Sequence, residues 1–150
     1  MIKLRFYFLA ITLIALLANC ASSKKDVSIS DEEKQTFTTV GNDTVTIGSE
    51  ESNYEIVIIE PGFNRWLRSI AQPRGYYSQE YMETRNRIFV NEWNNRVLLP
   101  GQYSPLLYEM QINYDSFTDY GYEVNYQLYN YFIYFQRKYK QRLGPFLPRI

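Results

Sequence analysis

The sequence predicts an α+β fold: a small two-stranded sheet packed with two long helices and one short helix, preceded by a signal peptide and a disordered tether. Three observations predict it. A β-branched run occupies 54–60, two stretches at 78–97 and 122–142 carry apolar residues at helical spacing, and the chain before residue 54 shows neither pattern after a short apolar leader. At 150 residues the chain has room for one ordinary domain.

The leader comes first. Lys3 and Arg5 precede an uncharged, mostly apolar run over 6–18, 13 residues long. A bilayer-spanning helix needs about 20 such residues, so the run suits the core of a cleaved signal peptide, 1–19. Its end, Leu17-Ala18-Asn19-Cys20, resembles the bacterial lipobox. That resemblance implies that the Cys20 thiol is acylated with diacylglycerol and that Cys20 becomes the mature N-terminus, which partners the protein with a membrane. Asn19 departs from the usual Gly, Ala or Ser and predicts slower processing. Ala21-Ser22-Ser23-Lys24-Lys25 follows, with neither the aspartate that favours inner-membrane retention nor an acidic export run. The resemblance therefore implies an outer-membrane anchor facing the periplasm.

Residues 20–53 are rich in Ser, Thr, Asp, Glu and Lys, with few large apolar residues, which predicts a flexible acidic tether. Charge separates at its end. Residues 21–60 hold three basic and nine acidic groups (net −6), and 61–150 hold eleven basic and seven acidic (net +4). Within the tether, Asp43-Thr44-Val45 resembles the O-glycosylation signal of exported Bacteroidota proteins, which would place a sugar on Thr44; an exposed turn of this composition also explains it.

The folded part is expected at 54–143, with a C-terminal tail at 144–150. The strand at 54–60 ends at Pro61-Gly62. Phe63, Trp66, Leu67 and Ile70 then share one face of a short helix, with Arg65 and Arg68 directed elsewhere. Ser78 is an N-cap for the first long helix, on which Met82, Asn86, Phe89, Val90, Trp93 and Val97 form the apolar face. Alternation over 107–114 reads as a second strand, expected to pair with 54–60. The last helix, 122–142, is apolar on two sides: Val124, Leu128, Tyr131, Phe132, Phe135 and Tyr139 on one, and Tyr126, Tyr129 and Ile133 on the other. Such a helix is either sandwiched or left with an adhesive stripe.

Composition narrows the chemistry. Histidine is absent and Cys20 is the lone cysteine, which removes zinc sites, Ser/His and Cys/His nucleophiles, and disulfides. A neutral chain, with 16 basic and 16 acidic residues, also argues against nucleic acid as a partner. No cofactor motif is present. Asn86, polar on an apolar face, reads as a core amide bonded to a strand edge or to the 115–121 loop, with a ligand contact as the competing reading. Asp115, Asp119 and Glu123 lie at four-residue spacing but match no Ca²⁺-loop pattern and read as helix caps.

The stretches YEIVIIEPGFNRWL, YYSQEYMETRNRIFVNEWNNRV and INYDSFTDYGYEVNYQLYNYFIYFQRKY resemble an uncharacterised family of small Bacteroidota lipoproteins, a domain of unknown function. The resemblance covers about 54–143, supports the envelope address, and carries no catalytic residues. The resulting expectation is a non-catalytic, membrane-tethered envelope protein that meets a protein partner through Tyr126, Tyr129 and Ile133. Two alternatives stand beside it. One is a glycan or peptidoglycan binder using Trp66, Trp93 or loop tyrosines for stacking and Arg65 or Arg68 for acidic groups; the other is a small hydrolase built on two of Glu80, Glu83, Glu92, Glu109, Asp115, Asp119 and Glu123.

Overall fold

The computed structural model describes residues 27–39, 44–48 and 55–150. In chain order these form α1 (Asp31–Phe37), β1 (Thr44–Gly48), β2 (Glu55–Ile59), α2 (Phe63–Ser69), α3 (Gln79–Val97) and α4 (Gly121–Lys138). The fold is mostly helical, which corrects the α+β expectation. Strand content among the described residues is limited to one antiparallel hairpin, with Thr44 opposite Ile59 and Gly48 opposite Glu55.

Residues 55–59 therefore pair with a near neighbour in sequence and not with 107–114. The physical reason lies in α3. Its Asn94 side chain accepts from the Ile112 amide (2.8 Å) and donates to the Ile112 carbonyl (2.9 Å), while the Trp93 indole donates to the Met110 carbonyl (2.9 Å). Residues 104–108 instead close a turn, with Leu107 and Tyr108 amides donating to the Ser104 carbonyl. A hairpin also closes a much shorter loop than a pairing across some fifty residues, and loop-closure entropy favours it.

The tether expectation fails over 31–37. Ser30-Asp31-Glu32-Glu33 starts α1: the Ser30 hydroxyl accepts from the Glu33 amide (3.2 Å), and the three acids sit at the positive end of the helix dipole. Seven residues cannot hold a helix alone in water. Docking supplies the rest. Glu33 and Thr36 are buried, and the Phe37 ring meets Tyr134 edge-on at 5.4 Å. Gly62, the N-cap of α2, adopts a left-handed φ of +85°, and a Cβ there would collide with the Thr36 carbonyl. This close approach lets α1 lie against the start of α2.

Ser78 caps α3 through the Tyr81 amide (3.2 Å), and its Met82, Asn86, Phe89, Val90 and Trp93 are buried against α4. Helix α4 is the centre of the molecule. From Val124 to Arg137 every residue but Tyr131 is buried, so its whole circumference is covered. Several of its buried polar groups are paired within the fold: Asn130 donates to the Tyr126 carbonyl (2.7 Å), and Gln136 donates to the Phe132 carbonyl (3.0 Å) while accepting from the Leu143 amide (2.8 Å). The helix ends at Lys138, four residues earlier than its apolar pattern suggests, because Lys140 turns to φ +50°. The expected tail at 144–150 is packed too, with Pro148 buried.

Candidate functional site

An open cleft of about 670 Å³ lies between β2, residues 106–114 and α4. Its floor is apolar, from Val124, Leu128, Tyr131 and Phe135 of α4 together with Trp93 of α3. One wall is Ile58, Ile59 and Glu60; the other runs from Leu106 to Tyr114. Leu106 (86 % exposed), Met110 (72 %) and Ile59 (68 %) leave large apolar side chains at the rim. Large apolar side chains left exposed beside an apolar floor are a mark of an interaction surface.

The cleft is held rigidly. Trp93 packs edge-on against Phe135 (4.8 Å) and Tyr108 (4.9 Å). The Tyr108 hydroxyl accepts from Arg96 (2.7 Å) and donates to Gln141 (3.1 Å). On the opposite side Glu60 accepts from Lys138 (2.6 Å) and from the Tyr139 hydroxyl (2.9 Å). Burial, then the Glu60 charge, pushes the Tyr131 phenol above its usual range. Burial also raises Tyr139, helped by its bond to Glu60, and burial followed by the Glu83 charge pushes Tyr114 up to about 12. These phenols therefore stay protonated at neutral pH and offer hydrogen bonds rather than bases. Glu109 is exposed on the wall and has no ion-pair partner among the described residues.

The structure moves most of the expected binding surface into the core. Tyr126, Tyr129 and Ile133 are buried, Tyr129 among Tyr77, Tyr81 and Phe89, and Tyr126 bonded to the Gln72 carbonyl (2.9 Å). The two-sided helix is sandwiched, so this stripe is no docking face. Trp66 is fully buried and cannot stack on a sugar; its indole donates to Glu33 (3.0 Å). Arg65 and Arg68 are exposed on α2, away from the cleft lining. Asn86 is fully buried and donates to the carbonyl and the side-chain oxygen of Asn125 (both 3.1 Å), a tie between α3 and α4 in place of the expected strand edge or loop. Thr44 opens β1, while Cys20 lies outside the described residues.

Two carboxylates come together outside the cleft, where the Gln79 side-chain amide donates to both Glu83 and Asp119 (2.8 Å each). Glu123 pairs with Arg74 (2.5 Å), Glu92 with Arg96 (2.7 Å), Asp119 accepts from the Gly121 amide (2.9 Å) and Asp115 from the Phe117 amide (3.0 Å). Of the acids considered for hydrolysis, Glu109 alone lines the cleft. No group of three or more Asp, Glu or Cys side chains is arranged for a metal ion among the described residues.

A buried charge pair escaped the sequence reading. Arg137 (3 % exposed) grips both oxygens of Glu33 (0 %) at 2.5 Å, and also donates to the carbonyls of Pro148 and Ser28 (both 2.9 Å). Two signals for it exist. Ser30-x-x-Glu33 is a capping-box pattern, and Arg137 falls four residues after Ile133 on the apolar back of α4, where a cation requires a buried partner.

Fold and cleft together define a small, mostly helical module with an open apolar groove. The chain belongs to a family of unknown function (DUF6146), whose profile matches residues 7–146, and this bears out the resemblance to a domain of unknown function. Searches of curated proteins and of solved structures returned no match.

Proposed function

We propose that the protein is a non-catalytic interaction module of the bacterial cell envelope, tethered to the outer membrane through lipidated Cys20, and that it receives its partner in the cleft between β2, residues 106–114 and α4. The observation that carries the reading is the rim of Ile59, Leu106 and Met110, three large apolar side chains exposed around an apolar floor. Association removes such surface from water at about 25 cal/mol per Å². Of the two carboxylates lining the cleft, Glu60 is taken up by Lys138 and the Tyr139 hydroxyl, which supports binding over catalysis. The leader and lipobox support the anchor, and the likeness to small Bacteroidota lipoproteins supports the outer-membrane address.

Site-specific photo-cross-linking from position 110 in living cells, with position 65 on α2 as the control, tests the reading. Adducts confined to position 110 are expected; equal labelling from both positions would refute the cleft as the interaction site. Cys20→Ser should release the protein from membranes, and unchanged membrane retention would refute lipidation.

A further inference from the structure

Building on that interaction reading, we propose that the cleft binds an extended peptide segment of a partner protein as an added β-strand, along the open backbone edge of residues 111–113, with a basic side chain of the peptide set against Glu109. Asn94 satisfies both the amide and the carbonyl of Ile112, and Trp93 satisfies the carbonyl of Met110. Two helix side chains thus occupy the place of a neighbouring strand. Successive residues of an extended chain direct their backbone groups to opposite edges. With Met110 and Ile112 committed to α3, the groups of Gln111 and Asn113 point the other way. Both residues line the cleft, and their amides and carbonyls have no protein partner among the described residues.

An edge of this kind is a template for strand addition, in which main-chain bonds give affinity and pockets for alternate side chains give specificity. The pocket is present. Leu128 and Phe135 on the floor would receive an apolar side chain from the inward face of the added strand. Charge selects the other feature. The lining contains two carboxylates, Glu60 and Glu109, and no Lys or Arg. Glu60 is neutralised by Lys138, which leaves Glu109 as the unpaired charge at the wall. A glycan would need an open aromatic face, and Trp93 is only 6 % exposed, enclosed by Tyr108, Tyr131, Phe132 and Phe135.

The test uses the full chain in detergent micelles and an acetylated, amidated hexapeptide alternating valine and lysine. Amide chemical shifts should move at 109–113 and at β2 on titration. N-methylation of alternate peptide amides should weaken binding by about tenfold or more in one register and leave it nearly unchanged in the other, because one peptide edge alone meets Gln111 and Asn113. Glu109→Gln should weaken the lysine peptide about two- to fivefold and leave a valine–serine peptide unaffected. Equal sensitivity to methylation in both registers, or absence of shifts at 109–113, would overturn strand addition. Shifts at 109–113 produced by soluble peptidoglycan fragments and not by the peptide would overturn it in favour of a glycan. Either failure alongside cross-links from position 110 would leave the interaction module standing; loss of those cross-links would remove the wider reading as well.

Discussion

Glu33→Ala is the substitution with the largest expected effect on stability. The carboxylate is inaccessible to solvent and is bound at both oxygens by Arg137, which is itself 3 % exposed. Removing it strands a desolvated guanidinium that keeps the carbonyls of Pro148 and Ser28 but no countercharge. It also takes the acceptor from the buried indole of Trp66. Breaking a buried pair from one side costs about 3–5 kcal/mol. Domains of this size are stable by about 5–15 kcal/mol, so the variant should fold but with much of its margin gone. With a urea m-value of about 2 kcal/mol/M, the unfolding midpoint should fall by about 1.5–2.5 M. A companion variant separates charge from packing: Glu33→Met with Arg137→Met removes both ions, and its midpoint should recover most of the loss. A fall of less than about 0.5 M for Glu33→Ala, or a double variant no better than the single, would refute the view that this pair fastens α1 to the domain.

Gly62→Ala should destabilise by about 1–3 kcal/mol in the same assay, because the φ of +85° is strained for any Cβ and the added methyl meets the Thr36 carbonyl. Its effect should combine less than additively with Glu33→Ala, since both release α1, and full additivity would show that the two act apart. Asn86→Ala should cost about 1–3 kcal/mol by leaving the Asn125 carbonyl short of a donor inside the core, read by thermal unfolding. The Glu123 carboxyl is held below its ordinary value of 4.5 chiefly by its hydrogen bond to Arg74, against burial and with help from Gln127. That contribution is fully present above pH 4.5 and is lost as pH falls through the lower folded value, so Arg74→Ala should flatten the acid limb of a stability–pH profile between about pH 5 and 3; an unchanged limb would refute the linkage.

The local elements were legible where sequence and neighbours agree. Ser78 and the spacing of Met82, Phe89 and Trp93 define α3 without reference to anything else, because capping and a 3.6-residue apolar period are local. The β-branched run at 54–60 marks β2 for the same reason, yet its partner was not legible. Alternation at 107–114 describes an extended chain and says nothing of what satisfies its backbone, and Asn94 and Trp93 of α3 took that role. Composition misled at α1. A polar segment with few apolar residues normally stays unfolded, but here one buried carboxylate and the adjoining Phe37 dock it.

By itself the sequence determined the charged leader ending in Cys20, the absence of histidine and disulfides, the two long helices, and an aromatic content concentrated after residue 60. Those are properties of composition and short-range spacing. Which aromatics are covered was decided by tertiary packing alone. Tyr126, Tyr129 and Ile133 became core because α4 is enclosed on every side, while Leu106 and Met110, unremarkable in the sequence, were left at the rim of a cleft. A helix with two apolar faces fits equally well between partners or against one, and only the arrangement of the surrounding elements removes that ambiguity.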